Sequence, residues 1–152
     1  MITHNKIVKL LEDISTNHYQ LNGFGFGDVW EYLASSTPAT PCLWGILGNT
    51  TREKNEVIMN YSLLVFDLVK SDESNEDEVL SDTQRIVFDI LSILNSPLYS
   101  TQFILNPSNS MEDFTERFDS SVSGWKIDIQ LRTTFDNDVC QIPFTGLPTI
   151  ID

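Results

Sequence analysis

The run Glu56–Lys70 limits what this chain can fold into more than any other stretch. Its odd positions read Val57, Met59, Tyr61, Leu63, Val65 and Val69, interrupted only by Asp67. Its even positions begin polar, at Glu56, Asn60 and Ser62, and turn apolar at Leu64, Phe66 and Leu68. Successive strand side chains point to opposite faces, so a period of two places the odd residues on a core. The second half is apolar on both sides and needs cover on both. A second run, Trp125–Phe135, alternates more cleanly. Trp125, Ile127, Ile129, Leu131 and Phe135 fall on one side, and Lys126, Asp128, Gln130 and Arg132 on the other. One dry and one wet face is the mark of an antiparallel sheet.

Helical periodicity frames these strands. Residues Thr3–Tyr19 place Ile7, Leu10, Leu11, Ile14 and His18 on one face, with Thr3 as N-cap and a stop expected near Asn22-Gly23. His18 on that face reads as a packed or half-exposed histidine and not as a ligand. A wider stripe runs through Val79, Leu80, Thr83, Ile86, Val87, Ile90, Leu91 and Leu94, and Asn95-Ser96-Pro97 ends it. Capping boxes at Ser74-x-x-Asp77 and Ser81-x-x-Gln84 leave two starts open. This helix is expected to cover the doubly apolar half of the central strand.

The connecting segments read as follows. Gly23-Phe24-Gly25-Phe26-Gly27 is expected to turn, with Phe24 and Phe26 as anchors. It lacks the spacing and preceding strand of a dinucleotide loop. Asp28–Ala34 fits a strand or a helical turn, and Ser35–Pro41 a loop. Cys42–Leu47 reads as a short buried strand and Gly48–Asn55 as a hairpin loop. Leu98–Leu105 reads as a short strand and Met111–Phe118 as extended chain. Asp119–Gly124 and Asp136-Asn137-Asp138 read as turns, and Val139–Pro143 as a last extended segment. The expected fold is α+β, a small, mainly antiparallel sheet of about four to six strands. An N-terminal helix and a second helix pack on one face. Residues 1–143 form a single domain, and a tail, 144–152, carries Leu147, Ile150 and Ile151 to dock on a neighbouring subunit.

Composition narrows function by exclusion. A chain of 152 residues, 41% hydrophobic, suits one domain with a real core. No apolar run approaches the ~18–20 residues that span a bilayer, and the first residues lack a signal-peptide layout. No membrane partner and synthesis in the cytoplasm are expected. Cys42 and Cys140 are too few for a metal cluster and are expected as small buried apolar residues. Net charge is −13, with 22 acidic against 9 basic residues. Such a surface does not grip nucleic acid, whose phosphates need Lys and Arg. It serves solubility, or lets the protein sit beside nucleic acid without sticking.

Catalytic, cofactor and metal residues are not apparent. His4 and His18 are the only histidines, and no nucleophile, base and orienter fall together. Asp136-Asn137-Asp138 lacks the glycine and distal glutamate of an EF-hand loop. Asp67 is the one buried-acid candidate, with Arg132 its expected partner or Asp128 an opposed carboxylate. No cofactor is expected.

The order helix, strand, strand, helix, strand, strand, with acids before the second helix, resembles the small ring-forming neck proteins of tailed bacteriophages. These are the tail-terminator, tail-completion and head–tail connector proteins, the crAss-like group included. Asp113-Phe114-Thr115-Glu116-Arg117-Phe118-Asp119, Gly124-Trp125 with the strand to Phe135, and Cys140-Gln141-Ile142-Pro143 carry most of the likeness. The resemblance implies a non-enzymatic virion protein, made in the host cytoplasm and built into a homo-oligomeric ring of six or twelve copies. Portal, other connector or tail proteins would be its partners, and genomic DNA would pass through the lumen without sequence-specific binding. Asp72, Glu73, Glu76, Asp77 and Glu78 would then form an acidic loop facing the channel or a neighbouring ring, or simply solvent. Lys126, Asp128, Gln130 and Arg132 would form a subunit interface, or an ordinary wet sheet face. The alternatives are an acidic DNA mimic that inhibits a host enzyme, and a small-molecule-binding domain with a pocket of Trp30, Trp44 and Trp125.

Overall fold

The computed structural model describes residues 2–29, 39–70, 72–117, 121–135, 138–143, 145–146 and 149. Helix α1, His4–Asn17, is followed by strands β1, Gly23–Phe26, β2, Cys42–Glu53, and β3, Glu56–Leu68. Helix α2, Glu76–Leu94, then leads through a 3-10 turn, Pro97–Tyr99, into β4, Ile104–Leu105, β5, Ser110–Arg117, and β6, Ser121–Thr134. A further 3-10 turn, Val139–Gln141, follows. The strands form one six-stranded sheet in the order β1-β2-β3-β6-β4, with β5 also paired to β6. Among the described residues, β1 and β2 pair in parallel and the other pairs are antiparallel. The fold is α+β, as the two strand periods and two helical stripes require.

Strand β3 sits at the centre, between β2 and β6. Its odd residues Met59, Tyr61, Leu63 and Val65 join Leu43, Ile127, Ile129 and Leu131 in one buried layer. Ile7, Leu11 and Ile14 of α1 and Ile86, Val87, Ile90 and Leu94 of α2 close over it. Burying one such side chain contributes about 1.5–3 kcal/mol, so this layer supplies most of the driving force for folding. Trp125 ties the layers together, its indole N–H donating to the Leu80 carbonyl of α2 at 2.8 Å.

Helix α2 covers the odd face of β3, including Leu63 and Val65 in its doubly apolar half, so the even face of that half needs other cover. Leu64 and Phe66 on the even face form a second cluster with Val29, Cys42, Trp44 and Val122. Phe114 meets Phe66 edge-on there, with centroids 6.3 Å apart.

Several connecting segments differ from the sequence reading. Gly23–Phe26 is a strand beside β2 and not a turn, because Trp44 lies flat over Gly25 where a side chain would stand. Of the hairpin loop expected over Gly48–Asn55, only Lys54-Asn55 turns, with Lys54 at φ +55°. The rest continues β2, interrupted by an irregularity between Leu47 and Thr50. Leu98–Leu105 begins in the 3-10 turn, continues through turns and pairs only at Ile104–Leu105, and Ser121–Gly124 is strand. The segment Val139–Gln141 is a 3-10 turn and not extended. Helix α1 ends at Asn17, where His18 takes an extended backbone. Cys42 is buried, but Cys140 is exposed. Residues 30–38, Phe118, Asp136, Asn137 and most of 144–152 lie outside the described residues, and so do the expectations placed on them.

Candidate functional site

Three surfaces gather the polar chemistry. The first is the sheet face turned away from the helices. Lys126, Asp128, Gln130 and Arg132 alternate along β6 with the buried Ile127, Ile129 and Leu131, so all four stand on that face. The even residues of β3 meet them in register, Asn60 opposite Gln130 and Ser62 opposite Asp128. The side-chain amides join hands across the strands. Asn106 Nδ2 donates to Gln130 Oε1 at 3.0 Å, Gln130 Nε2 to Asn60 Oδ1 at 3.2 Å, and Asn60 Nδ2 to Asn49 Oδ1 at 2.9 Å. Beside this ladder the Ser62 hydroxyl donates to Asp128 Oδ1 at 2.6 Å. Arg132 reaches Glu56 at 3.5 Å and not Asp67, whose Oδ1 takes the Leu68 N–H at 2.7 Å. Nor do Asp67 and Asp128 oppose each other: their partners across the ladder are Ser123 and Ser62.

The second surface is the start of α2. Glu76, Asp77 and Glu78 occupy its first turn, where they complement the positive end of the helix dipole. They are therefore helical and not part of a loop. Neither Ser74 nor Ser81 caps the helix. Asn75 stands at the N-cap, and its side-chain oxygen accepts the Lys70 N–H at 2.8 Å instead. Asp72, Glu73, Asp77 and Glu78 are exposed. The Ser74 N–H bonded to the Asp72 carboxylate holds its pKa below the usual range. Glu76 behaves differently. Its Oε1 accepts hydrogen bonds from Thr115 Oγ1 at 2.8 Å and from the buried Ser123 Oγ at 3.3 Å, pinning α2 to β5 and β6.

The third surface is a groove of about 620 Å³ between the helices, missed by the sequence reading. Leu10, Ile14, Ile93 and Tyr99 line it together with Asp13, Asp89 and His18. His18 Nε2 lies 2.9 Å from Asp89 Oδ2, and the Gln20 N–H donates to His18 Nδ1 at 3.1 Å. With Nδ1 accepting, the network assigns the ring proton to Nε2. Both nitrogens are thereby engaged, and the imidazole clamps α1 to α2. Seventy-one residues separate the pair, so no sequence pattern joins them.

His4 is placed apart from this groove, its Nδ1 3.0 Å from the Tyr61 hydroxyl and its ring stacked on the Tyr61 ring. Among the described residues, no three His, Cys, Asp or Glu side chains cluster to hold a metal ion. Among them, too, no helix is long and apolar enough to cross a membrane. No known protein family and no curated protein matches the chain.

Proposed function

We propose that this chain is a non-enzymatic structural component of a phage neck, assembling side by side into a ring through which DNA passes. The observation that carries the reading is the sorting of charge onto two unlike surfaces. Basic and acidic side chains mix on the outer sheet face, at Lys126, Asp128 and Arg132, while the start of α2 is acidic throughout. Unlike patches on one subunit suit a heterologous contact, the kind that generates rings. A strongly acidic chain also suits a passage that DNA must cross without being held. Portal and other connector or tail proteins would be its neighbours. Glu76 is set aside from the acids offered to a channel, since Thr115 and Ser123 occupy it.

The test is mass spectrometry and imaging of purified particles, with light scattering of the pure chain alone and with portal. Ring-like stoichiometry in the particle supports the reading, and absence from purified particles overturns it. Reversing Lys126 and Arg132 to Glu is expected to abolish ring incorporation while leaving the melting temperature near that of the parent. Incorporation unchanged by that double reversal would remove the sheet face from the interface.

A further inference from the structure

The groove between α1 and α2 belongs to neither surface used above, and its chemistry is one-sided. Ile14 is buried, and Leu10, Ile93 and Tyr99 are half-buried, so its base is apolar. The carboxylates at its lip, Asp13 and Asp89, are about half exposed, at 53% and 48%. Neither helix has a basic residue in its last turn. Carbonyls in the last two turns of α1 take neutral donors. Asn17 Nδ2 bonds the Asp13 carbonyl at 2.8 Å, Thr16 Oγ1 that of Glu12 at 3.0 Å, and the His18 N–H that of Ile14 at 3.0 Å. The negative end of the α1 dipole is thus left without a compensating charge beside two carboxylates. The nearby cation, Lys9, spans Asp13 at 3.0 Å on the surface, a pair that solvent weakens and a competitor displaces at little cost.

Two exposed apolar side chains stand by the groove. Tyr19 at its mouth is fully exposed, and so nearly is Leu98, next to Tyr99 in the 3-10 turn. Large exposed apolar side chains beside a groove fit an interaction site for a protein partner. We propose that this groove docks an amphipathic helical segment of a partner protein. Its apolar side chains lie between Leu10, Ile14, Ile93 and Tyr99, and its Lys or Arg side chains meet Asp13, Asp89 and the carbonyl end of α1. This is the helix-in-groove mode, in which apolar anchors supply affinity and charge selects the partner.

A 14-residue synthetic peptide of Leu and Lys in helical register serves as probe, with a Leu/Glu peptide of the same pattern as its control. Both are titrated into the full chain at physiological salt and followed by amide chemical shifts. The Leu/Lys peptide is expected to move the amides of residues 10–20 and 89–99, and the Leu/Glu peptide to bind at least about tenfold more weakly. Asn17→Trp fills the groove and is expected to weaken binding about tenfold. Tyr19→Ser, at a fully exposed site that folding does not need, is expected to weaken it several-fold. Shifts centred on Glu76–Asp82 and indifferent to both variants would mean general attraction to acid and overturn the proposal. So would groove shifts that grow with protein concentration without peptide, which would assign the site to a second copy, and so would no binding of either peptide.

Discussion

The indole of Trp44 occupies the space that a side chain on Gly25 would need: a Cβ there would stand 2.1 Å from the ring. The same indole donates its N–H to the Gly27 carbonyl at 2.9 Å, fixing the ring from its far edge. Gly25 is thus required by a neighbour in space, on the strand beside it. Gly25→Ala is expected to lower stability by about 1–3 kcal/mol, the usual cost of overpacking. Urea unfolding followed by tryptophan fluorescence measures it, and a loss under a few tenths of a kcal/mol would refute the packing.

Glu76 and its helical neighbours separate by what they touch. Glu76→Ala removes the carboxylate shared by the Thr115 and Ser123 hydroxyls, which stay bonded to each other at 2.9 Å, and is expected to cost about 1–2 kcal/mol. Asp77→Ala removes only an exposed dipole partner and is expected to cost about 0.3–1 kcal/mol. Parallel denaturation curves for the two variants decide the order.

The amide ladder predicts a second contrast. Gln130→Leu strands an acceptor on Asn60 and a donor on Asn106, both partly buried, at about 1–2 kcal/mol. Arg132→Ala breaks a half-exposed pair with Glu56 and is expected to cost under about 1 kcal/mol. Equal losses at the two sites would deny the ladder its role.

The two cysteines should differ in accessibility to reagents. Burial pushes the Cys42 thiol up from 9.0 to about 12, while Cys140 is exposed. At pH 8 a disulfide reagent is expected to label Cys140 in the native chain and Cys42 only after unfolding. The unfolded chain loses the Cys42 proton near pH 9 and the folded chain keeps it to about 12, so stability falls with rising pH across that window. Tyr61, also raised by burial, acts in the same direction. A melting temperature flat from pH 8 to 11 would contradict both.

The clamp between His18 and Asp89 is expected to matter less for stability than its geometry suggests. With the carboxylate about half exposed, Asp89→Asn should cost under about 1 kcal/mol in thermal unfolding, because water screens the pair.

The strands β3 and β6 were legible because their alternation is a local property, set by which side of a pleated chain faces apolar neighbours. The helices were legible for the same reason at a period of 3.6, although the α2 start was not: Asn75 spends its side chain on Lys70 instead of capping. Gly23–Phe26 was misread because four residues with alternating glycines carry no period strong enough to outweigh turn chemistry. Of the residues expected to form an acidic loop, Glu76 was misplaced because its partners lie 39 and 47 residues away.

The linear order of residues by itself determined which side chains of β3, β6 and the two helices face the core, the α+β class, and the surplus of negative charge. Only the tertiary structure decided that the amides of Asn49, Asn60, Gln130 and Asn106 form one ladder, and that His18 meets Asp89 at the lip of an apolar groove. Periodicity is written residue by residue along the backbone. A hydrogen bond between distant segments depends on strand register and helix placement, which the packing of the whole core sets.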